Sequence, residues 1–167
     1  MGYKEHKHES PKNLNCAVVI VSDSRTEQDD ESGKLIKQKL SQNGHQVLSY
    51  FLLKNELDSI LEKVNELLEI KELQVIIISG GTGVSHRDVT IETITPILDK
   101  KLDGFGELFR LLTYQEIGTT SIMSRAVGGV TKGKVILCLP GSTGAVSLAM
   151  DKVILPEVGH LVREATR

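Results

Sequence analysis

The chain has 167 residues, 40 % hydrophobic and 25 % charged, with a formal net charge of −2. That length suits one domain with a sizeable core rather than two, and the near-neutral balance excludes the broad basic field that duplex nucleic acid requires. No apolar run approaches a membrane span and the N-terminus has no apolar signal-peptide core, so the expected location is cytoplasmic with no membrane partner.

Residues 1–13 are polar and carry His6, His8 and Pro11; they are expected to form a disordered tail ahead of a single domain over residues 14–167. Residues 16–21 (CAVVIV) form a short, continuous, β-branched apolar run, the pattern of a strand buried on both faces. Cys16 and Cys138 both lie in such runs, where buried reduced thiols are expected. A polar loop over 22–31 precedes a helix capped by Ser32, with Leu35, Ile36 and Leu40 on one face and Gly44 as its stop. Residues 45–53 read as a second strand. Asn55 then suits the cap of a helix whose stripe runs through Leu57, Ile60, Leu61, Val64, Leu67 and Leu68.

Residues 75–78 (VIII) are the third buried strand, followed by helical stretches near 91–98 and 105–112. Residues 126–130 and 134–139 pair across a turn at 131–133, and helices are expected over 145–152 and from Leu155-Pro156 onward. Strands alternating with helices imply a mostly parallel sheet covered on both faces, with ligands beyond the carboxyl ends of its strands.

Three loops at that edge are rich in small and hydroxyl residues: Ser22-Asp23-Ser24-Arg25, residues 79–90 (SGGTGVSHRDVT), and Pro140-Gly141-Ser142-Thr143-Gly144. Glycine lets backbone approach a ligand closely, and freed amides near a helix start attract anions. Three such loops together point to a phosphate site. Asp88 would repel a phosphate unless a cation lies between, which makes it a candidate Mg²⁺ ligand; the alternatives are a helix cap or a pair with Arg87. The glycine loop lacks the Gly-Lys-Ser/Thr ending of a Walker A loop, and no Gly-x-Gly-x-x-Gly follows the first strand. Neither cysteine lies in a CxxC, and the histidines lack ligand spacing.

The chain resembles the MoaB/MogA family of molybdenum cofactor biosynthesis proteins, which includes the gephyrin G domain. The resemblance runs from about Cys16 to the C-terminus. It rests on Ser79-Gly80-Gly81-Thr82-Gly83 with Arg87-Asp88-Val89-Thr90, on Gly104-Phe105-Gly106-Glu107, on Ser124-Arg125, and on Leu139-Pro140-Gly141-Ser142. Residues 105–127 look like the MoaB branch. The resemblance implies a three-layer α/β/α fold, a homo-oligomer (trimer or hexamer), and binding of molybdopterin. In active members ATP and Mg²⁺ adenylylate the molybdopterin phosphate. Carried onto this chain, Gly80, Gly81, Thr82 and Gly83 with Pro140, Gly141 and Ser142 would hold pterin and phosphates. Asp88 would handle Mg²⁺ and nucleotide, and Ser22, Asp23, Thr90, Ser124 and Arg125 match further motif positions. Contacts with other cofactor-assembly proteins are also implied.

One departure stands out. MogA-like members carry an aspartate after the second strand, where this chain has Lys54-Asn55-Glu56, so Glu56 is the residue left to supply the carboxylate. A molybdopterin adenylyltransferase is therefore the leading expectation, and a non-catalytic molybdopterin carrier or scaffold the alternative that Asn55 favours. A flavin-binding module is disfavoured, since three Tyr, three Phe and no Trp leave little to stack on an isoalloxazine.

Overall fold

The computed structural model describes residues 10–167. The tail expectation for residues 1–9, with His6 and His8, lies outside the described residues. Just beyond them, Pro11 packs so closely on Gly159 that a Cβ there would stand 2.6 Å from the Pro11 carbonyl oxygen.

One six-stranded sheet runs in the order β2-β1-β3-β6-β5-β4. The strands are β1 (Asn15–Val21), β2 (Gln46–Leu53), β3 (Val75–Ser79), β4 (Lys100–Lys101), β5 (Val127–Thr131) and β6 (Lys134–Leu139). β1 pairs in parallel with β2 and with β3, and β3 with β6; β5 is antiparallel to both neighbours. The sheet is thus mostly parallel, and the β5–β6 hairpin turns through Lys132 and Gly133, both at positive φ. The two-residue β4 was not foreseen, because two exposed lysines carry no strand signal.

Helices cover both faces. On one face α1 (Glu31–Gln42), α4 (Asp103–Ile117), α5 (Thr143–Ala149) and α6 (Leu155–Ala165) bury one core with Cys16, Val18, Ile20, Ile77 and Leu137. On the other, α2 (Leu57–Leu68) and α3 (Thr90–Ile94) close a second core on Ala17, Val19, Ile76, Ile78 and Ile136. Alternate residues of the same strands feed opposite cores, as a doubly covered sheet requires. A single π-helical segment over Met150–Ile154 joins α5 to α6, where the sequence suggested two separate helices. Both cysteines are free and buried; burial pushes the Cys16 thiol up to about 12 and the Cys138 thiol higher still.

Two helix caps differ from expectation. Asp30, not Ser32, caps α1, its Oδ1 accepting from Gly33 N at 2.9 Å. Ser32 instead donates to the Gly141 carbonyl at 2.6 Å. Asp30 is chosen because its other oxygen accepts from the Tyr50 hydroxyl at 2.6 Å while the carboxylate is 1 % exposed. At α2 the cap position is Glu56 rather than Asn55.

Tyr50→Phe strands a buried carboxylate oxygen, so it is expected to lower unfolding free energy by about 1–3 kcal/mol in urea titration. An unchanged midpoint would show that Asp30 does not need this partner.

Candidate functional site

The loops leaving β1, β2, β3 and β6 meet at one edge of the sheet. They straddle the switch point between β1 and β3, from which successive crossovers run in opposite directions. Their convergence is enforced by backbone contact. Gly80 (φ +100°) presses against β1 so closely that a Cβ would sit 2.2 Å from the Val21 carbonyl oxygen. Its own amide donates to Leu139 O at 3.0 Å, and its Cα lies 3.2 Å from where a Gly141 Cβ would be. Gly81 (φ +65°) has equally little room, since a Cβ would lie 2.4 Å from both Asn55 Oδ1 and Thr90 Oγ1. Left-handed φ at both positions makes glycine the residue without strain.

Side chains then lash the loops together. Ser79 Oγ donates to Pro140 O at 3.1 Å, and Thr90 Oγ1 to Gly80 O at 2.8 Å. Arg25 donates to Gly141 O at 2.7 Å, which ties the first loop to the third. Ser22 Oγ accepts from the amide of Arg25, and Ser142 Oγ from that of Ala145. After these bonds, the amides of Gly81, Thr82 and Gly83 donate to no acceptor among the described residues. Three successive free N–H groups thus follow a buried strand, an arrangement of donors that an anion could accept from.

Charged groups lie near these amides. Asp23 accepts from Arg87 through both carboxylate oxygens, at 3.0 and 3.2 Å, and from Asn55 N at 2.9 Å. The Arg87 hydrogen bonds, joined by the Asn55 amide, hold the Asp23 carboxyl down at about 2. Asp88 neither caps α3 nor pairs with Arg87, so both alternatives weighed for it give way to a third arrangement. Its Oδ2 accepts from Ser85 N at 3.1 Å, closing the turn beyond Gly83, while the N-cap of α3 is Val89, which makes no side-chain cap bond. Asp88 Oδ1 takes no partner among the described residues, as a Mg²⁺ ligand working beside phosphate oxygens would need. No cluster of three His, Cys, Asp or Glu able to hold a metal exists among the described residues, so any cation here would lean on phosphate oxygens.

The structure brings Ser22, Asp23, Gly80, Gly81, Thr82, Gly83, Asp88, Thr90, Pro140, Gly141 and Ser142 to one edge. Arg125 joins them through Nε, which donates to Thr82 O at 3.0 Å, while its Nη2 holds Glu92 at 2.5 Å. Ser124 precedes it on the half-buried return to β5. Glu56 sits apart: it is exposed, and its Oε2 accepts from Ser59 Oγ at 3.1 Å at the start of α2. Asn55 is the better placed of the two, with a buried Oδ1 that has no hydrogen-bond partner and faces Gly81. The contact of Arg25 with Gly141 and the Asp30–Tyr50 pair behind it escaped sequence reasoning, because nothing local marks which cation reaches a loop 116 residues away.

Comparison with known proteins gives the family and supports the fold. Residues 17–160 match a family described as a "probable molybdopterin binding domain". The molybdenum cofactor biosynthesis protein B of Bacillus cereus is 45 % identical over 168 residues, spanning 100 % of this chain and 99 % of that protein. A crystal structure of a molybdenum cofactor biosynthesis protein B superposes with a TM-score of 0.90 at 46 % identity, covering 94 % of this chain and 98 % of that one. The tungsten cofactor synthesizing protein MoaB from Pyrococcus furiosus gives 0.87 at 34 % identity, covering 95 % and 100 %.

The Asp23–Arg87 pair makes a pH prediction. A depressed carboxyl pKa means that the pair's contribution is complete above the ordinary value of 3.8 and fades as pH falls toward about 2. The Asp23 carboxyl carbon should therefore titrate near 2 by NMR and return toward 3.8 in Arg87→Gln. Titration near 3.8 in the unaltered protein would mean that the pair does not persist in solution.

Proposed function

We propose that this chain, which belongs to the MoaB/MogA family of molybdenum cofactor biosynthesis proteins, binds molybdopterin and adenylylates its terminal phosphate with ATP and Mg²⁺. The observation that carries the reading is the row of free amides at Gly81, Thr82 and Gly83, held in place by loop contacts that leave no room for side chains.

In this reading a pterin phosphate oxygen attacks the α-phosphorus of ATP in line. A new P–O bond forms, the bond from the α-phosphorus to the bridging oxygen breaks, and pyrophosphate leaves with the electron pair. No nucleophilic side chain is needed, because such transfer depends on positioning and on preorganised donors. The glycine-loop amides stabilise charge on the transferring group, and the Pro140–Gly141–Ser142 loop closes the opposite wall. Asp88, together with phosphate oxygens, would hold Mg²⁺, which would supply charge neutralisation for a departing pyrophosphate.

A homo-oligomer with threefold symmetry belongs to the same proposal. Its support is the exposed apolar strip of Leu108, Leu111, Tyr114 and Ile117 along α4, continued by Ile122 and Met123. A carrier that binds molybdopterin without transferring anything is the second reading. It is favoured by Asn55 in place of a carboxylate and by the engagement of Asp23 with Arg87.

Pyrophosphate release from MgATP, with and without molybdopterin, separates the two. Asp88→Asn keeps an acceptor for Ser85 N, so the melting temperature should barely move and pterin affinity should survive. Turnover should fall roughly 10²-fold, the scale of one lost preorganised electrostatic contact. A large drop in melting temperature with near-normal turnover would make Asp88 a structural residue only. At the neighbouring turn, if Glu56 supplies the missing carboxylate despite its outlying position, Glu56→Gln should slow transfer and Asn55→Asp should preserve or raise it. Equal rates for all three proteins would place that turn outside the mechanism.

A further inference from the structure

Beyond Arg125, on the side away from the glycine loop, lies a cleft of about 410 Å³ between α3 and the start of α4. Lys101, Arg110 and Arg125 line it together with Asp103, and Ile91, Leu102 and Val127 form its apolar wall. Two of the three cations are already neutralised. Lys101 Nζ lies 3.2 Å from Asp103 Oδ1, and Arg125 Nη2 lies 2.5 Å from Glu92 Oε1. The half-buried Arg110 guanidinium has no hydrogen bond or ion pair among the described residues.

Local geometry makes room for that guanidinium. Gly106 lies one turn earlier on α4, and a Cβ there would meet Arg110 Nη1 at 2.9 Å and Nη2 at 3.0 Å. The same Cβ would lie 2.8 Å from the Ala126 carbonyl oxygen. Glycine inside a helix costs about 1 kcal/mol against alanine, so its presence calls for a compensating fit. Here it lets the Arg110 fork lie flat on the helix, facing the cleft, while the chain entering β5 packs against α4. A planar fork of donors with no internal acceptor matches a tetrahedral oxyanion or a carboxylate.

We propose that the α3–α4 cleft is a second oxyanion subsite, with Arg110 as its principal donor, taking a phosphoryl group distinct from the one on the glycine loop. A reaction that joins two phosphorylated ligands needs two such cradles, and Arg125 touches both, through Thr82 O on one side and the cleft on the other. Which ligand supplies the phosphoryl group, molybdopterin or ATP, depends on the transferase reading above; the subsite itself does not.

The test uses the intact chain with inorganic phosphate and pyrophosphate as probes. Phosphate should protect Arg110 from phenylglyoxal in the unaltered protein, as followed by peptide mass spectrometry. By calorimetry, Arg110→Ala should weaken phosphate binding about 10- to 100-fold, the scale of one charge-assisted contact, with the fold checked by circular dichroism. Arg110→Lys should fall between, keeping the charge but losing the fork. Arg110→Ala should then weaken either ATP or molybdopterin and spare the other, which identifies the source. Loss of phosphate affinity in a protein that never releases pyrophosphate keeps the subsite and removes the transferase reading. Unprotected Arg110, or undiminished phosphate affinity in Arg110→Ala beside normal transfer, overturns the subsite.

Discussion

The site depends on backbone touching backbone at Gly80. The chain leaving β3 passes so close to Val21 of β1 and to Gly141 after β6 that no side chain fits between them. Parallel neighbours in the order β1-β3-β6 put three strand ends side by side, and this contact locks the loops that follow. Every other feature of the site comes after it. With Gly80 bonded to Leu139 O and Thr90 bonded to Gly80 O, the amides of Gly81, Thr82 and Gly83 are left without an acceptor among the described residues. Rigid placement of unpaired donors is what a transition state with developing charge can use, because no reorganisation is needed at the moment of reaction.

Around this centre most charged groups are arranged in pairs. Asp23 holds Arg87, Asp30 is held by Tyr50 and flanked by Arg25, Arg125 holds Glu92, and Lys101 lies beside Asp103. The buried Asp30 is tolerated because two donors satisfy it, and its position fixes the start of α1 and hence the loop that carries Ser22 and Asp23. Arg110 is the guanidinium of this group without such a match, and it faces a cleft rather than bulk surface.

The architecture was legible because buried parallel strands are written as short continuous apolar runs. CAVVIV, VIII and the run before Leu139 fall on β1, β3 and β6 within a residue or two. The clustering of three loops at one edge followed from the alternation of strands and helices. Caps were less legible. Ser32 was the expected cap of α1, and Asp30 takes the position instead, held by a tyrosine hydroxyl 20 residues further along. The role of Asp88 was also out of reach, because its turn partner Ser85 N is set by the path of the glycine loop rather than by local propensity. Arg110 could be read only as part of a motif, since being unpaired is a property of the folded surroundings.

Taken together, these contacts describe a row of unbonded backbone amides, beside one carboxylate with a free oxygen and joined by Arg125 to a cleft lined by cations. The most direct test of its use is to supply ATP radiolabelled at the α-phosphorus together with molybdopterin and Mg²⁺, and to follow the label. Label appearing on the pterin, with unlabelled pyrophosphate released in equal amount, is the result expected of a molybdopterin adenylyltransferase. Label remaining on ATP while molybdopterin is demonstrably bound would contradict the account and leave the protein a carrier.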